Sequence, residues 1–361
     1  MGDKKAQVEV TFNWMYILIA GGIILLFFVG LIVRQKTVAE DNLANSVVRI
    51  MGTIFTGAGV SEDTKSFIDT SGLAEMTFYF SCTNGVGEYG LQGKGAKIKN
   101  NIDPVFAPTE IKSPQLIAWS LPYKLPYKVI DLLFITSSNS LYYLYGTEDD
   151  AIIADFQVAT QGMTNVFTLQ NPSEYSDVDP QQNYQIRVVD ATGTIIPNLP
   201  LPQRLEQFDD ERVTALVLQG NKADYYQKYG RGWKKLTPRP LEIISLGGER
   251  DAATFAAIFA GSPESYQCNM QKAFKRLQAV TGLQQFRLQE IKNYYALQEP
   301  SGECMTLVST NPQGNAEMAL QVHYGNILSC LASGTCLQLV ESAQSLVDIN
   351  HDLSLNCIPL Y

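Results

Sequence analysis

The chain has 361 residues, 45% of them hydrophobic and 17% charged, and its formal net charge is −9 at pH 7. This composition can bury a sizeable core, and the length allows one large or two small domains besides a membrane segment. The acidic balance argues against general nucleic-acid binding, which requires a basic face.

Residues 14–33 form a continuous apolar run near the start of the sequence. The run contains no charged side chain, and basic residues flank it on both sides. A helix rises about 1.5 Å per residue, so a run of this length matches the ~30 Å hydrocarbon core of a bilayer. Trp14 and Tyr16 lie at its start, where aromatic rings prefer the headgroup level. The run therefore predicts a single transmembrane helix in contact with membrane lipid; a buried core helix is the alternative.

Residues 34–57 continue the helical pattern beyond the apolar run. Neither Gly nor Pro interrupts this pattern before Gly52, and the glycine-rich residues 57–59 supply a stop. We predict one helix from about residue 14 to about residue 56, whose second half packs one apolar face on the soluble domain; a flexible linker is the alternative. The residues of that face recur at steps of three to five: Val38, Leu43, Val47, Ile50 or Met51, and Ile54.

Residues 1–13 form a short N-terminal tail that carries the one resemblance to a known family. Residues 4–9 (KKAQVE), followed directly by the apolar run, resemble the class III signal of archaeal type IV pilin-like proteins. The resemblance implies processing between Ala6 and Gln7, with the apolar helix retained on the mature protein and the N-terminus inside the cell. The acidic residue lies early, at Glu9, and the soluble part is large for a pilin. The resemblance therefore favours an archaeal-type surface protein over a filament subunit.

All six cysteines follow the apolar run, and five of them fall in the last hundred residues. An even number in a translocated domain predicts up to three disulfides, for which fifteen pairings exist. Six reduced, buried thiols in a cytoplasmic domain are the alternative. The pairs that we predict are Cys330 with Cys336, Cys268 with Cys304, and Cys82 with Cys357.

Residues 58–361 are predicted to form an ectodomain with an α+β fold, because strand signals come first and helix signals later. The part before residue 198 is β-rich, and the part from residue 198 onward is α/β with a helical hairpin. The two arms of that hairpin meet at a break at Thr281 and Gly282. A hairpin of strands is also predicted, joined by residues 136–140. The predicted strands are residues 76–80, 129–135, 141–145, 152–158, 184–189, 213–218 and 241–245; the predicted helices are residues 252–259, 266–280, 288–295 and 335–349.

Motifs for catalysis or metal binding are weak in this sequence. Residues 85–90 (GVGEYG) match the dinucleotide-binding glycine pattern, but no helix signal follows, which favours a glycine-rich hairpin loop. The two histidines, His323 and His351, have no partner at metal-ligand spacing, and His323 is interpreted as a packing residue. We therefore predict no metal, no cofactor and no catalytic residue, and a non-enzymatic protein is favoured.

The most distinctive polar stretch is residues 224–239, which gathers four aromatic and five basic side chains in an acidic chain. Flat rings and cationic donors suit stacking on a sugar or contact with an anionic polymer. A solvated connection whose aromatics pack on the sheet is the alternative. The candidate binding residues are Tyr225, Tyr226, Lys228, Tyr229, Arg231, Trp233, Lys234, Lys235 and Arg239.

These features predict a membrane-anchored cell-surface protein with a disulfide-stabilised ectodomain in a structural or interaction role. The N-terminus would be cytoplasmic and the C-terminal domain outside, in contact with other envelope proteins or glycans. One alternative is a pilin-like filament subunit whose N-terminal helix packs with copies of itself. Another is an envelope hydrolase that acts on a polymer through loop carboxylates and residues 225–239.

Overall fold

The computed structural model describes residues 4–58, 65–73, 76–95, 97–146, 150–163, 166–169, 182–194, 196, 201–310 and 315–361. The fold is α+β, with a long apolar N-terminal helix, a β-rich middle and a helical C-terminal part, as predicted. Two predicted features lie outside the described residues: the boundary between residues 197 and 198, and the side chains of Ala6 and Gln7.

Helix α1 (Lys4–Ala58) is one continuous helix of 55 residues. The predicted continuity from the apolar run into the following residues is therefore confirmed. Beyond Asp41, which pairs with Lys94 at 3.1 Å, the helix contacts the β-rich part of the chain.

The packed face of α1 agrees with the predicted face in part: Met51 is buried and Val47 is half-buried, whereas the side chain of Ile54 lies outside the described residues. The predicted residues Val38, Leu43 and Ile50 are exposed. Phe55 was not part of the predicted face, and its ring lies 5.0 Å from that of Tyr89. The residues that the structure buries at helical spacing are Ala44, Val48, Met51 and Phe55, with Val47 half-buried beside them.

The strands form three sheets. One has the order β1-β7-β8-β5, and the second has the order β4-β3-β2-β6. The third, which we call the mixed sheet, has the order β10-β9-β11-β12-β13-β14, with β15 also paired to β13. The strands are β1 (Lys65–Asp69), β2 (Phe78–Thr83), β3 (Val86–Leu91), β4 (Lys97–Asn100), β5 (Val105–Phe106), β6 (Glu110–Ile111), β7 (Gln115–Lys124), β8 (Lys128–Ser137), β9 (Ser140–Tyr145), β10 (Val166–Leu169), β11 (Gln185–Asp190), β12 (Val213–Gln219), β13 (Lys222–Tyr229), β14 (Gly232–Lys235) and β15 (Leu241–Glu242).

The predicted hairpin of β8 and β9 is wrong. Strand β8 pairs antiparallel with β7, whereas β9 runs parallel to β10 and β11. All six residues of β9 are buried, as expected for a central strand with both faces covered. The chain therefore passes from one sheet to another at Ser138 and Asn139 instead of folding back.

The predicted strand at residues 152–158 is also wrong, because this segment is helix α2 (Ala151–Ala159). Asp150 caps the helix by accepting a hydrogen bond from the Ile152 N–H at 3.0 Å. Ile153 and Phe156 face the core from consecutive turns. Because β9 and β10 are parallel, their connection needs a crossover, and the helix provides it.

The predicted helical hairpin is wrong as well, since α4 continues through Thr281 and Gly282. Thr281 is fully buried, and its hydroxyl is bonded to the Leu277 carbonyl and to the Tyr127 hydroxyl, so tertiary contacts hold this residue inside the helix. Helix α6 was not predicted, and α7 extends beyond the predicted end at residue 349. The C-terminal helices are α3 (Ala252–Phe259), α4 (Pro263–Gln298), α5 (Glu303–Met305), followed by a π-turn (Thr306–Thr310), α6 (Ala316–Ser333) and α7 (Leu337–Asn356).

All six cysteines are paired, and one of the three predicted pairs is confirmed. The predicted pair Cys268 with Cys304 is wrong because the continuous α4 separates them: 30 residues of helix from Cys268 to Gln298 span about 45 Å. The pair Cys82 with Cys357 is wrong for the same reason. Cys82 bonds to Cys268 near the N-terminus of α4, whereas Cys357 bonds to Cys304, which follows the C-terminus of α4. The observed disulfides are Cys82–Cys268, Cys304–Cys357 and the predicted Cys330–Cys336.

Candidate functional site

The first candidate surface is the apolar half of α1. An apolar window within Trp14–Thr53 has a mean hydropathy of 2.8, and none of it is buried against the rest of the protein. The large side chains are exposed all around the helix, including Trp14, Leu18 and Leu26. Among the described residues, this is the one helix long and apolar enough to cross a membrane.

Residues 34–43 separate this apolar half from the packed half. Their side chains are exposed where the structure describes them, and the first fully buried residue is Ala44. Because Asp41 already pairs with Lys94, the apolar half ends about 12 Å along the helix from this contact with the folded domain.

The second candidate surface is the aromatic and basic stretch, which forms the β-hairpin of β13 and β14. Gly230 and Arg231 make its turn, and Gly230 has a positive φ of 59°. In this hairpin Lys228 lies opposite Trp233 and Gln227 lies opposite Lys234. Since side chains alternate between the two faces of a strand, this register decides which candidates share a face.

Three of the nine candidates are structural residues of the core. Tyr225 is fully buried, and its hydroxyl donates to the Ala257 carbonyl at 2.9 Å. Tyr226 is buried on the opposite face of the sheet. The buried Lys228 ammonium donates to Asp210, and this bond lowers the pKa of that carboxyl below its usual range. These side chains are not available to a ligand.

The remaining aromatics lie on opposite faces of the hairpin. Tyr229 is 70% exposed, and Lys234 places its ammonium 6.0 Å from the centre of the Tyr229 ring. Trp233 shares the other face with Lys228 and is half-buried against the mixed sheet. Tyr229 and Trp233 therefore cannot stack on the two sides of one sugar ring.

The other basic candidates have separate contacts. Arg231 Nε lies 3.2 Å from Glu206 Oε2 at the exposed turn. Lys235 Nζ lies 2.8 Å from Asp224 Oδ2 and 6.0 Å from the Tyr226 ring centre, which it covers. Arg239 is exposed. The binding surface that the structure leaves is Tyr229 and Lys234, which we call the hairpin face, with Arg231 at the adjacent turn. Arg239 lies at the other end of β13, just before Leu241, which pairs with Ala223.

The glycine pattern at residues 85–90 lies in the tight turn between β2 and β3 and in the first residues of β3. Asn84 and Gly85 have positive φ values of 54° and 78°, the geometry of a two-residue hairpin turn. A side chain at Gly87 would meet Lys272 Nζ at 2.7 Å, so this glycine permits close packing. The interpretation as a hairpin loop is confirmed.

His323 is completely buried, as the packing interpretation predicts. Its Nδ1 lies 2.9 Å from the Ser342 hydroxyl, and burial lowers the pKa of the imidazole to about 4. A ring this hard to protonate is a poor proton shuttle at neutral pH. His351 is exposed on α7. Within the described ranges, no group of three or more His, Cys, Asp or Glu side chains could hold a metal ion.

A surface cavity of about 290 Å³ is lined by acidic and basic side chains between β7 and α3. Asp251 is the central acid, but its oxygens accept hydrogen bonds from the Ser245 hydroxyl at 2.7 Å and from the Thr254 hydroxyl. Asp251 also caps α3 through the Ala253 N–H. This carboxylate holds loop and helix together, so the cavity adds no support for the hydrolase alternative.

Comparisons with known proteins do not change this description. No protein-family model, curated protein or solved structure matches the chain. The features of the chain that bear on function are the exposed apolar half of α1, the hairpin face and the buried polar groups.

Two buried cations were missed at the level of sequence. Lys272 on α4 donates to the backbone carbonyls of Asn100 at 3.0 Å and Asp103 at 3.2 Å. Burial lowers the pKa of its ammonium to about 8. Arg187 on β11 is buried beneath α3. The burial of these two cations has no local sequence signal, because their hydrogen-bond partners lie 70 or more residues away in the sequence.

Proposed function

We propose that this protein is a single-pass membrane protein whose residues 14–33 cross the bilayer and carry the α+β domain at the cell surface. In this proposal the N-terminus is cytoplasmic, and the domain has a structural or interaction role. The observation that carries the proposal is the continuity of α1: one helix is exposed and apolar in its first half and packed on a sheet in its second.

Exposure of this half of α1 to water is unfavourable in free energy. Transfer of a large apolar side chain from water contributes about 1.5–3 kcal/mol, and this segment exposes more than ten of them. Exposed apolar surfaces of this extent mark membranes or partner proteins. Lipid satisfies the whole circumference of the helix at once, which a contact on one side does not.

The packed half supports a fixed arrangement of domain and membrane. Ala44, Val48, Met51 and Phe55 attach the helix to the β-rich part over three turns, and the Asp41–Lys94 ion pair extends that contact toward the apolar half. A domain held about 12 Å from the bilayer by a helix keeps one side toward the membrane and presents the other outward.

The disulfides support an oxidising compartment. Three disulfides join segments as far apart as 186 residues, and no cysteine is free. Such bonds persist in extracellular spaces and are rare in the cytosol. They therefore favour translocation of the domain with the N-terminus inside.

Membrane extraction of full-length protein tests this proposal. Carbonate should leave the wild-type chain in the membrane fraction, and added protease should cut the domain from intact cells. The double substitution Ile24→Lys and Leu25→Lys should release the chain, because a charge at the centre of a span costs about 2.5–3.5 kcal/mol. The control is Val38→Lys, beyond the span, which should stay membrane-bound. Wild-type protein in the carbonate supernatant would contradict the proposal.

The hairpin face is our proposed contact with glycans or other envelope proteins. Tyr229 offers an exposed ring and Lys234 an adjacent cation. Tyr229→Ala should reduce binding of the full-length chain to purified cell-wall glycan in a pull-down. Trp233→Ala, on the opposite face of the same hairpin, is the matched control and should keep binding. Equal binding by wild-type and Tyr229→Ala protein would remove this surface from the proposal.

A pilin-like subunit is the second candidate function. It is supported by the resemblance of residues 4–9 to a class III signal. Gly21, Gly22 and Gly30 also leave open space beside the helix, where a second helix could approach closely. Mass spectrometry of the mature N-terminus separates the two candidates: a chain that starts at Gln7 favours the filament pathway, and one that starts at Met1 or Gly2 contradicts it.

A further inference from the structure

We propose that the cavity between the mixed sheet and α3 binds one monovalent anion of about the size of chloride, as counterion to the buried Arg187 guanidinium. This inference does not depend on the membrane proposal, since it concerns the folded domain alone.

The site consists of polar side chains on one face of three adjacent strands. Tyr142, Arg187 and Thr214 lie opposite one another on β9, β11 and β12. Ser140 and Gln185 form the neighbouring row, also opposite each other and on the same face. A sheet face covered by a helix is normally apolar. The Tyr142 hydroxyl is bonded to Thr136 and the Ser140 hydroxyl to Ser137, so the group in this set that needs an explanation is the Arg187 guanidinium.

Arg187 is 93% buried, and its hydrogen bonds are incomplete. Its Nη2 donates to the carbonyls of Ala257 at 3.1 Å and Ala260 at 3.0 Å, at the C-terminus of α3. The Tyr225 ring lies 5.0 Å from Cζ on one side. In the described part of the chain, the buried Nε and Nη1 atoms have no acceptor.

The described residues also supply no carboxylate to this guanidinium. Arginine stays charged throughout the normal pH range, so it cannot escape burial by losing its proton. Its contacts are carbonyl oxygens and an aromatic ring, which carry partial charges only. A buried charge without a counterion is strongly unfavourable, whereas a paired one can be retained.

The cavity has the volume for a single small occupant. Its space for a water-sized occupant is about 30 Å³, above the roughly 10–15 Å³ that one water needs, so a single halide has room in it. The Ser140 hydroxyl can accept from Ser137, and the bond from Thr214 to the Ile186 carbonyl is long at 3.4 Å. Both hydroxyls can therefore turn a donor toward an anion while the guanidinium provides the charge.

Thermal unfolding of the full-length chain in a non-ionic detergent tests the inference. The protein is dialysed into sodium gluconate and titrated with sodium chloride or sodium bromide at constant ionic strength. At ten times the dissociation constant, the unfolding midpoint should rise by about 2–4 °C and then approach saturation. Equal midpoints in gluconate and chloride would overturn the inference, because a water or a carboxylate of the chain would then serve Arg187.

Two further measurements locate the anion. Arg187→Met should abolish the halide response. The control is Arg212→Met, which removes a half-buried arginine directly before β12 and should retain the response. If Arg187→Met does not fold, ³⁵Cl NMR line broadening of the wild-type chain replaces it. Broadening that Thr214→Val reduces supports the site, and broadening that Thr214→Val leaves unchanged contradicts it.

Discussion

The two longest helices that the structure describes, α1 and α4, both change surroundings near their midpoints. Helix α1 is exposed and apolar on all sides first, and then buries one stripe on the β-rich part. Helix α4 packs its first half into the main core and its second half against the C-terminal helices. Its exposed apolar residues occupy one stripe only: Leu283, Phe286, Tyr294 and Leu297. A helix with apolar residues around its whole circumference leaves no polar face for water, whereas a stripe leaves one side for packing.

The comparison also explains why one helix was predicted whole and the other was not. The continuity of α1 follows from its composition, because no Gly or Pro falls between Gly30 and Gly52. In α4, Thr281 and Gly282 resemble a local stop, but tertiary contacts decide otherwise. Thr281 is fully buried and hydrogen-bonded to both Leu277 and Tyr127.

The largest loss of stability is expected from a substitution in the first half of α4. Leu277 is fully buried in the main core, so Leu277→Ala should lower the free energy of unfolding by about 2–5 kcal/mol. Leu297, 85% exposed on the same helix, is the matched control, and Leu297→Ala should change stability by no more than about 0.5 kcal/mol. Urea unfolding of full-length protein in detergent measures both. Equal losses would mean that Leu297 is covered by an undescribed contact.

The α+β class could be predicted, and so could the positions of six strands, β2, β8, β9, β11, β12 and β15, because burial on a sheet imposes an apolar pattern on each segment. The other strands that the structure describes, including β7 and β13, were not predicted. The pairing of strands could not be predicted, as β8 and β9 show. Their sequences fit a hairpin, but β9 instead pairs with β10 and β11, which come later in the sequence. Disulfide pairing failed for a related reason: only the local pair, Cys330 with Cys336, could be inferred without the course of α4.

The candidate site was predicted as a segment and only partly as a surface. The stretch at residues 224–239 was predicted as a binding segment without strands, whereas most of it forms the hairpin of β13 and β14. Strand alternation then divides its aromatics, since Tyr225 and Tyr226 point to opposite cores. Arg187 and Lys272 had no signal in the sequence, because a buried cation differs from an exposed one only through its distant neighbours.

A moderate effect is expected from Lys272, which attaches the first half of α4 to the loop after β4. Its pKa is about 8 in the folded protein and near 10.5 in the unfolded chain, so the unfolded chain binds more protons between these values. Stability should therefore rise by about 2 kcal/mol from pH 7 to pH 9.5.

The control for this pH dependence is Lys272→Met, which keeps the length of the side chain and removes the titrating group. Its stability should change less over the same range when both proteins are unfolded in urea at matched ionic strength. The range ends at pH 9.5, below the ionisation of unfolded tyrosines. Parallel curves for the two proteins would show that Lys272 does not titrate in this window.

The smallest effect compares one glycine in each helix. Gly282 lies inside α4 with open space where a side chain would extend. Gly282→Ala should therefore raise the free energy of unfolding by about 0.5–1 kcal/mol, because alanine restricts the unfolded chain and favours helix. Gly52 lies inside α1, but a side chain there would meet Ile98 Cδ1 at 2.7 Å. Gly52→Ala should show no such gain, since Ile98 must move.

The Ile98→Val background separates these two contributions for Gly52, because valine lacks the carbon that would clash. In that background, Gly52→Ala should recover the gain of about 0.5–1 kcal/mol expected from helix propensity. Gly282→Ala should be insensitive to Ile98→Val, because it has no contact with that side chain and distant substitutions are additive. Urea unfolding of the single and double variants measures the coupling. A Gly52→Ala effect that Ile98→Val leaves unchanged would mean that α1 is not held against β4 at this turn.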